Sequence, residues 1–377
     1  MSKLKEKLKN LKIAFFISDV GYGHMVRQRS IIKKILIKYP KTKITIVNHN
    51  NIQILKQTFR EQVDYVDFFN NIKIIKKKNG FLDLDKTKKV FQNWEKKSKK
   101  INRLHKALSG YNLFVSDFVP EAFLLAKKMN IRSIGICHFT WSWFVKKIIK
   151  KNNFYYKRIL FFENLADKIF FPPLTPIKIF NDFSKNKIIK INFVIDKKYL
   201  GKPFKKNKKK IFLIMDNGTK TLSSLISKSL KYLSKSKKFI FYIGTSTLKK
   251  NDIKYISKQK NLIPISDLNS IYEQIQKADY VIARGGFNTL TECLMFKKPS
   301  ILSNEKNNPE VDENLKYFSE LGFCSKLKNN HWGKGLLKRL DFFVTHESLN
   351  IKKNLNKKFF FFNGSDQILK YIEQLIR

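Results

Sequence analysis

Cysteine is scarce in this sequence: Cys137, Cys293 and Cys324 are the only three in 377 residues, far apart and without a C-x-x-C pair. That spacing argues against a disulfide framework or a cysteine-built zinc site and fits a reducing compartment. Long apolar runs are missing as well. The first run after the basic start, IAFFIS, is stopped by Asp19, too early for a signal peptide. No uninterrupted apolar stretch approaches the ~20 residues that cross a bilayer. The expectation is a cytoplasmic protein, for which peripheral contact with the inner face of a membrane stays open.

Acidic side chains are also few, 29 Asp+Glu against 77 Lys+Arg, which gives a formal charge of +48. Such a surface attracts anions: nucleic acid, acidic lipid headgroups or phosphorylated ligands. The lysines are spread along the whole chain among Asn and Ile, as an AT-rich coding bias would leave them, and no RNA- or DNA-binding motif accompanies them. No specific nucleic-acid partner is therefore expected. What the chain does have is apolar material: 43% hydrophobic residues and 34 Phe. That supports a globular protein, and the length fits two domains.

Short apolar runs alternate with helical patterns through the first half. Residues 12–18, 42–48, 111–117 and 131–137 read as strands, and residues 25–38 and 120–129 as helices, the second with proline in its first turn. The pattern weakens over residues 181–210, where Gly, Pro and clustered lysines make the best linker candidate. Alternation then restarts with strands at 210–216, 238–244, 279–283 and 299–303, and a helix from about residue 219. A short amphipathic helix spans residues 366–377. Alternating strands and helices imply parallel sheets. The fold class expected is α/β, with two Rossmann-like doubly wound domains over 1–195 and 196–358, and with 359–377 packing back toward the first.

Two stretches carry chemistry. In SDVGYGHMVRQRS, residues 18–30, a strand ends in Gly21-x-Gly23 and His24 opens a helix, with Arg27 one turn on. In ADYVIARGGFNTLTE, residues 278–292, a strand ends at Ala283, Gly285 and Gly286 make the turn, and a helix starts near Phe287 or Asn288, with Thr289 next to it. Free N–H groups and the positive end of the dipole make such a helix start a phosphate site. Glu292, about a turn further, is placed to accept hydrogen bonds from ribose hydroxyls. Each motif also has a bland reading: the glycines as tight structural turns, His24 as a cap or packing residue, and Asp117 as the N-cap of the following helix.

The second stretch, with the Lys-Pro strand and NNPEVDENLKYFSELG after it, resembles the donor-binding half of GT-B fold nucleotide-sugar glycosyltransferases of family 28. That branch contains the lipid-linked N-acetylglucosamine transferase of peptidoglycan synthesis and the diacylglycerol galactosyltransferases. GYGHMVR resembles a Gly-x-Gly-His-x-x-Arg pattern of the same transferases, of the glycosyltransferase-like region of L-arabinokinases, and of a nucleotide-sugar hydrolase. Residues 116–144 are similar to the acceptor-domain segment in which an Asp ends a strand. The resemblance implies two domains facing across a cleft. Gly285, Gly286, Asn288 and Thr289 would cradle the diphosphate, Arg284 would bind the donor, and Glu292 would hold the ribose. Gly218 and Thr219, beside Asn217, would touch the diphosphate, while Glu310 and Asn314 would bind the donor. Residues 263–268 fall where relatives hold the base. Val311 stands where the family usually has a polar residue, which leaves the sugar open.

The implied activity is an inverting, metal-independent transfer, with no cofactor, of a sugar from a UDP-sugar or similar donor to a hydroxyl acceptor of lipid, glycan, protein or small-molecule type. His24 would be the general base, because its ordinary pKa lies nearest working pH, and Asp117 would orient it. Gly21, Gly23 and Arg27 would lie on the acceptor side, and His138, Trp141 and Trp143 either line an acceptor pocket or pack at a domain junction. The alternatives are a nucleotide-sugar hydrolase or epimerase of the same fold and a non-catalytic nucleotide-sugar-binding subunit.

Overall fold

The apolar run after Lys12 forms β1 (Lys12–Ile17), in which every residue past Lys12 is buried. Strands covered on both faces need such continuous apolar runs, and parallel sheets supply the two covered faces. A computed structural model describes residues 11–20, 23–68, 72–78, 80–117, 119–149, 154–195, 208–216, 220–266 and 271–376. These divide into two units.

The first unit holds a seven-stranded parallel sheet in the order β3-β2-β1-β4-β5-β6-β7. After β1 come β2 (Lys43–Asn48), β3 (Asp64–Asp67), β4 (Leu113–Asp117), β5 (Arg132–Ile136), β6 (Lys168–Phe171) and β7 (Ile188–Lys190). The order reverses between β1 and β4, which run side by side with Ile17 opposite Asp117. Open α/β sheets bind ligands outside the carboxyl ends of strands at such a switch point. β1 and β4 both deliver their chain there: β1 leads into the helix Gly23–Lys38, and β4 ends on Asp117.

The second unit repeats the scheme with six strands in the order β10-β9-β8-β11-β12-β13. They are β8 (Lys210–Ile214), β9 (Phe239–Gly244), β10 (Leu262–Ile265), β11 (Tyr280–Arg284), β12 (Ser300–Ser303) and β13 (Cys324–Leu327). Here the switch point lies between β8 and β11, so Asp216 just after β8 and Arg284 at the end of β11 come to the same edge.

Two segments belong to the unit that their place in the sequence would not suggest. Lys76–Leu82, between β3 and β4 in sequence, is part of the second unit, and Phe361–Arg377 is part of the first. The helix Gly364–Ile376 buries Ile368, Leu369 and Ile372 in the same cluster as Met25, Ile31, Ile32 and Ile35 of the helix after β1. Glu373 accepts from Lys38 Nζ at 2.6 Å and Tyr39 Oη at 2.8 Å, and Tyr371 packs edge-on against Phe170. The linker expected over residues 181–210 is corrected in its first part: Ile188–Lys190 is a strand, and Ile191, Phe193 and Ile195 are buried. An edge strand only three residues long, flanked by lysines, carries too little apolar periodicity to stand out.

Candidate functional site

Helical spacing puts positions i, i+3 and i+4 on one face. His24, Arg27 and Gln28 occupy those positions at the start of the helix after β1, and all three turn toward Asp117 at the end of β4. His24 Nδ1 lies 2.8 Å from Asp117 Oδ1. Arg27 donates to both carboxylate oxygens, Nη2 to Oδ1 at 2.6 Å and Nε to Oδ2 at 2.9 Å, and Gln28 Nε2 donates to Oδ2 at 2.8 Å. Asp117 is 0% exposed. Burial works against its charge, but the charges and hydrogen bonds of Arg27 and His24 outweigh it and hold the carboxyl well below the ordinary range.

That ionisation fixes the histidine's tautomer. A carboxylate can only accept, so the proton of a neutral imidazole sits on Nδ1 and Nε2 keeps its lone pair. Arg27 is 3% exposed and its guanidinium is committed to Asp117, with Nη2 3.2 Å from His24 Nδ1. Gly23 opens the helix, while Gly21 lies outside the described residues. His138, Trp141 and Trp143 are buried around Phe139, whose ring centroid is 5.8 Å from each tryptophan.

In the second unit the glycine turn has a packing reason for its first residue. A Cβ on Gly285 would come within 2.7 Å of Leu315 Cγ. The Gly285 carbonyl accepts from Asn314 Nδ2 at 3.1 Å, so Asn314 braces the turn from the helix Pro309–Glu320. Gly286 caps the helix Phe287–Met295, and Asn288 and Thr289, half-buried, fall in its first turn, where backbone N–H groups lack helical partners. Glu292 is 8% exposed on the same helix.

Around this turn lies a charge network. Buried Glu305 accepts from Arg284 Nε at 2.5 Å and from Lys76, and Arg284 Nη2 reaches Glu310 at 3.5 Å. Asp216 accepts from Ser223 at 2.8 Å and Thr247 at 3.2 Å. Val311 is fully buried, so it belongs to the core and not to a hydroxyl-binding surface. Gly218 and Thr219, with Asn217, lie outside the described residues, as do 267 and 268 of the expected base-binding stretch. Among the described residues no cluster of three or more metal-ligating side chains forms, and no helix is long and apolar enough to cross a membrane.

Gln28, Glu305 and Lys76 were not singled out from sequence. Gln28 carries a readable signal, since it completes the i, i+3, i+4 set with His24 and Arg27. Glu305 lies in a connection after β12, and Lys76 lies in the lysine-rich run KIIKKK, so neither has a periodic pattern to mark it.

Comparison with known proteins bears on both units. Residues 217–368 match the glycosyltransferase family 28 C-terminal domain. The UDP-N-acetylglucosamine--N-acetylmuramyl-(pentapeptide) pyrophosphoryl-undecaprenol N-acetylglucosamine transferase of Prochlorococcus marinus (strain MIT 9215) is 30% identical over 135 residues, 34% of this chain and 36% of that protein. The transferase of the same name from Clostridium botulinum (strain Loch Maree / Type A3) is 27% identical over 180 residues, 46% of this chain and 48% of that protein. The matches thus span at most about half the length of these curated relatives. The solved glycosyltransferase of kitacinnamycin superposes with a TM-score of 0.68 at 12% identity, over 98% of this chain and 99% of that one. MurG of Acinetobacter baumannii gives 0.57 at 11% identity, over 96% and 99%. At those identities the likeness concerns fold: two Rossmann-like units of the GT-B type.

Proposed function

We propose that the chain is an inverting glycosyltransferase that moves a sugar from a UDP-sugar to an acceptor hydroxyl. The observation that carries the reading is the buried His24–Asp117 pair at the switch point of the first unit, 2.8 Å apart. It is supported by the family 28 domain match over the glycine turn of the second unit. The acceptor oxygen attacks the anomeric carbon, the bond from that carbon to the phosphate oxygen breaks, and the hydroxyl proton passes to His24 Nε2. Asp117 then faces an imidazolium, whose charge it stabilises. The leaving diphosphate draws on the N–H groups at the start of the helix Phe287–Met295 and on Arg284. Gly218, Thr219, Asn288 and Thr289 complete the phosphate contacts, Glu292 holds the ribose, and Glu310 meets the sugar. No metal or cofactor enters this scheme.

The relatives' names point to UDP-N-acetylglucosamine as the first donor to test and to a pyrophosphoryl-undecaprenol lipid as the first acceptor. A lipid acceptor would bring the protein to a membrane surface, where its +48 charge favours acidic headgroups. The decisive variant is His24→Ala. It should lower transfer at least about 100-fold, as loss of a general base does, with UDP affinity within about twofold of wild type by calorimetry. Transfer at the wild-type rate would remove the base assignment. Stoichiometric release of free sugar from the donor without acceptor would instead assign a hydrolase.

A further inference from the structure

Lys76 sits far from the donor motifs in sequence, yet it is half-buried in the second unit. Its side chain is 14% exposed and touches Glu305, which is 0% exposed and also holds Arg284, the residue before the glycine turn. The segment that brings it is a closed strap: Lys77 N–H donates to the Phe81 carbonyl at 2.8 Å, Gly80 N–H to the Lys77 carbonyl at 2.9 Å, and Lys76 bridges Leu82. A second contact fixes the strap on the same unit. Gly80 has φ +83°, and a Cβ there would lie 2.6 Å from the Lys220 carbonyl oxygen and 2.7 Å from Thr221 Cα. No side chain fits at that position. The strap therefore rests on the stretch after β8 at one point and on the stretch after β12 at the other, the two sides of the β8/β11 switch point.

An ammonium has three donors, and among the described residues Glu305 is the only hydrogen-bond acceptor found for this one. Burial and the neighbouring Arg284 charge pull its pKa down to about 6, although Glu310 and Asp216 pull it up, so an arriving phosphate dianion would draw a proton onto it. Gathering two basic side chains on one buried carboxylate beside a helix start is costly for stability alone. It is well suited to a dianion that arrives between them.

We infer that Lys76 is a donor-binding residue: its ammonium donates to the phosphate oxygens of the nucleoside diphosphate, and Glu305 holds it beside the glycine turn for that purpose. The inference rests on the donor reading above. Its test is calorimetry with UDP and with UMP on four proteins: wild type, Lys76→Gln, Lys76→Arg and Lys77→Gln. Lys77 is the exposed neighbour on the same strap and controls for loss of overall charge. Lys76→Gln should weaken UDP binding tenfold or more, about the scale of one charge-assisted hydrogen bond, and should lower the ratio of UDP to UMP affinity. Lys76→Arg should keep most of the affinity, and Lys77→Gln nearly all of it. UDP binding unchanged in Lys76→Gln, or UDP and UMP weakened alike, overturns the inference and leaves the donor reading standing. If wild type binds neither nucleotide, the donor reading falls and the inference with it.

Discussion

Four N–H···O contacts converge on the two oxygens of Asp117, and the residue has no solvent to fall back on. Arg27 is the main counter-charge, with side chains 3% and 0% exposed across the pair. Removing one member of a buried pair strands the other, at a cost of about 3–5 kcal/mol. Arg27→Met should therefore lower unfolding free energy by that amount in denaturant titration, whereas Gln28→Ala, which removes a neutral donor, should cost only about 1 kcal/mol. Gln28→Ala should also lower kcat several-fold with little change in donor KM, because it loosens the carboxylate that orients His24. A carboxyl held below its ordinary range stabilises the fold at neutral pH, and that contribution fades as pH falls below about 4, where the unfolded chain takes up the proton. The pairing across 93 positions was legible in the sequence because Asp117 ends one apolar run of parallel-strand type and His24 lies at the start of the helix that follows another. The clamp by Arg27 and Gln28 follows from the same helical spacing, but nothing in that spacing says which carboxylate it will meet.

Two helices of the first unit carry carboxyls of the opposite character. Glu163, near the end of the helix Phe154–Glu163, accepts from the backbone N–H of Trp141 at 2.8 Å and of Ser142 at 3.3 Å, so it serves the start of the helix Trp141–Ile148. Glu121, in the first turn of the helix Pro120–Lys128, accepts from Trp94 Nε1 at 2.5 Å. Burial pushes Glu121 up to about 7 and Glu163 up to about 8, more than their hydrogen bonds pull them down. A raised carboxyl pKa means that the folded state keeps a proton the unfolded chain has lost. Stability should then fall as pH rises from about 4.5 through 7 to 8, and level off above that. In thermal melts between pH 5 and 9, Glu163→Gln should flatten this decline. Its share is about 1.4 kcal/mol per pH unit until Glu163 ionises, an upper figure because other groups titrate in the same range. The elements themselves were largely legible: β1, β4, β8 and β11 are continuous apolar runs, and proline marked the start of one helix. β7 was not, being short, polar in its flanks and paired with β6 along one edge.

The chain passes from one unit to the other at Ile75–Lys76, Leu82–Asp83, Asp196–Lys197 and Phe360–Phe361. The expected division at 195/196 and the expected return of 359–377 toward the first domain lie close to two of these crossings, whereas no local pattern marks Lys76–Leu82 for the second core. The helix Gly364–Ile376 matters most for the first unit, because Ile372, 1% exposed, sits in the core cluster with Ile31 and Ile35. Ile372→Ala should cost about 2–4 kcal/mol. By hydrogen exchange the lost protection should fall on β1, β2 and the helix Gly23–Lys38, while β8 to β13 keep theirs. The same crossings bear on how the protein is made. Synthesis is vectorial, so β1 to β7 leave the ribosome long before residue 372 exists. The first sheet must wait, with part of its apolar face uncovered, while the whole second unit is translated. The second unit needs nothing further, because its strap was made early. The sheet that is begun first is therefore the one completed last, and a nascent chain stalled before residue 361 should need a chaperone at the face that helix will cover.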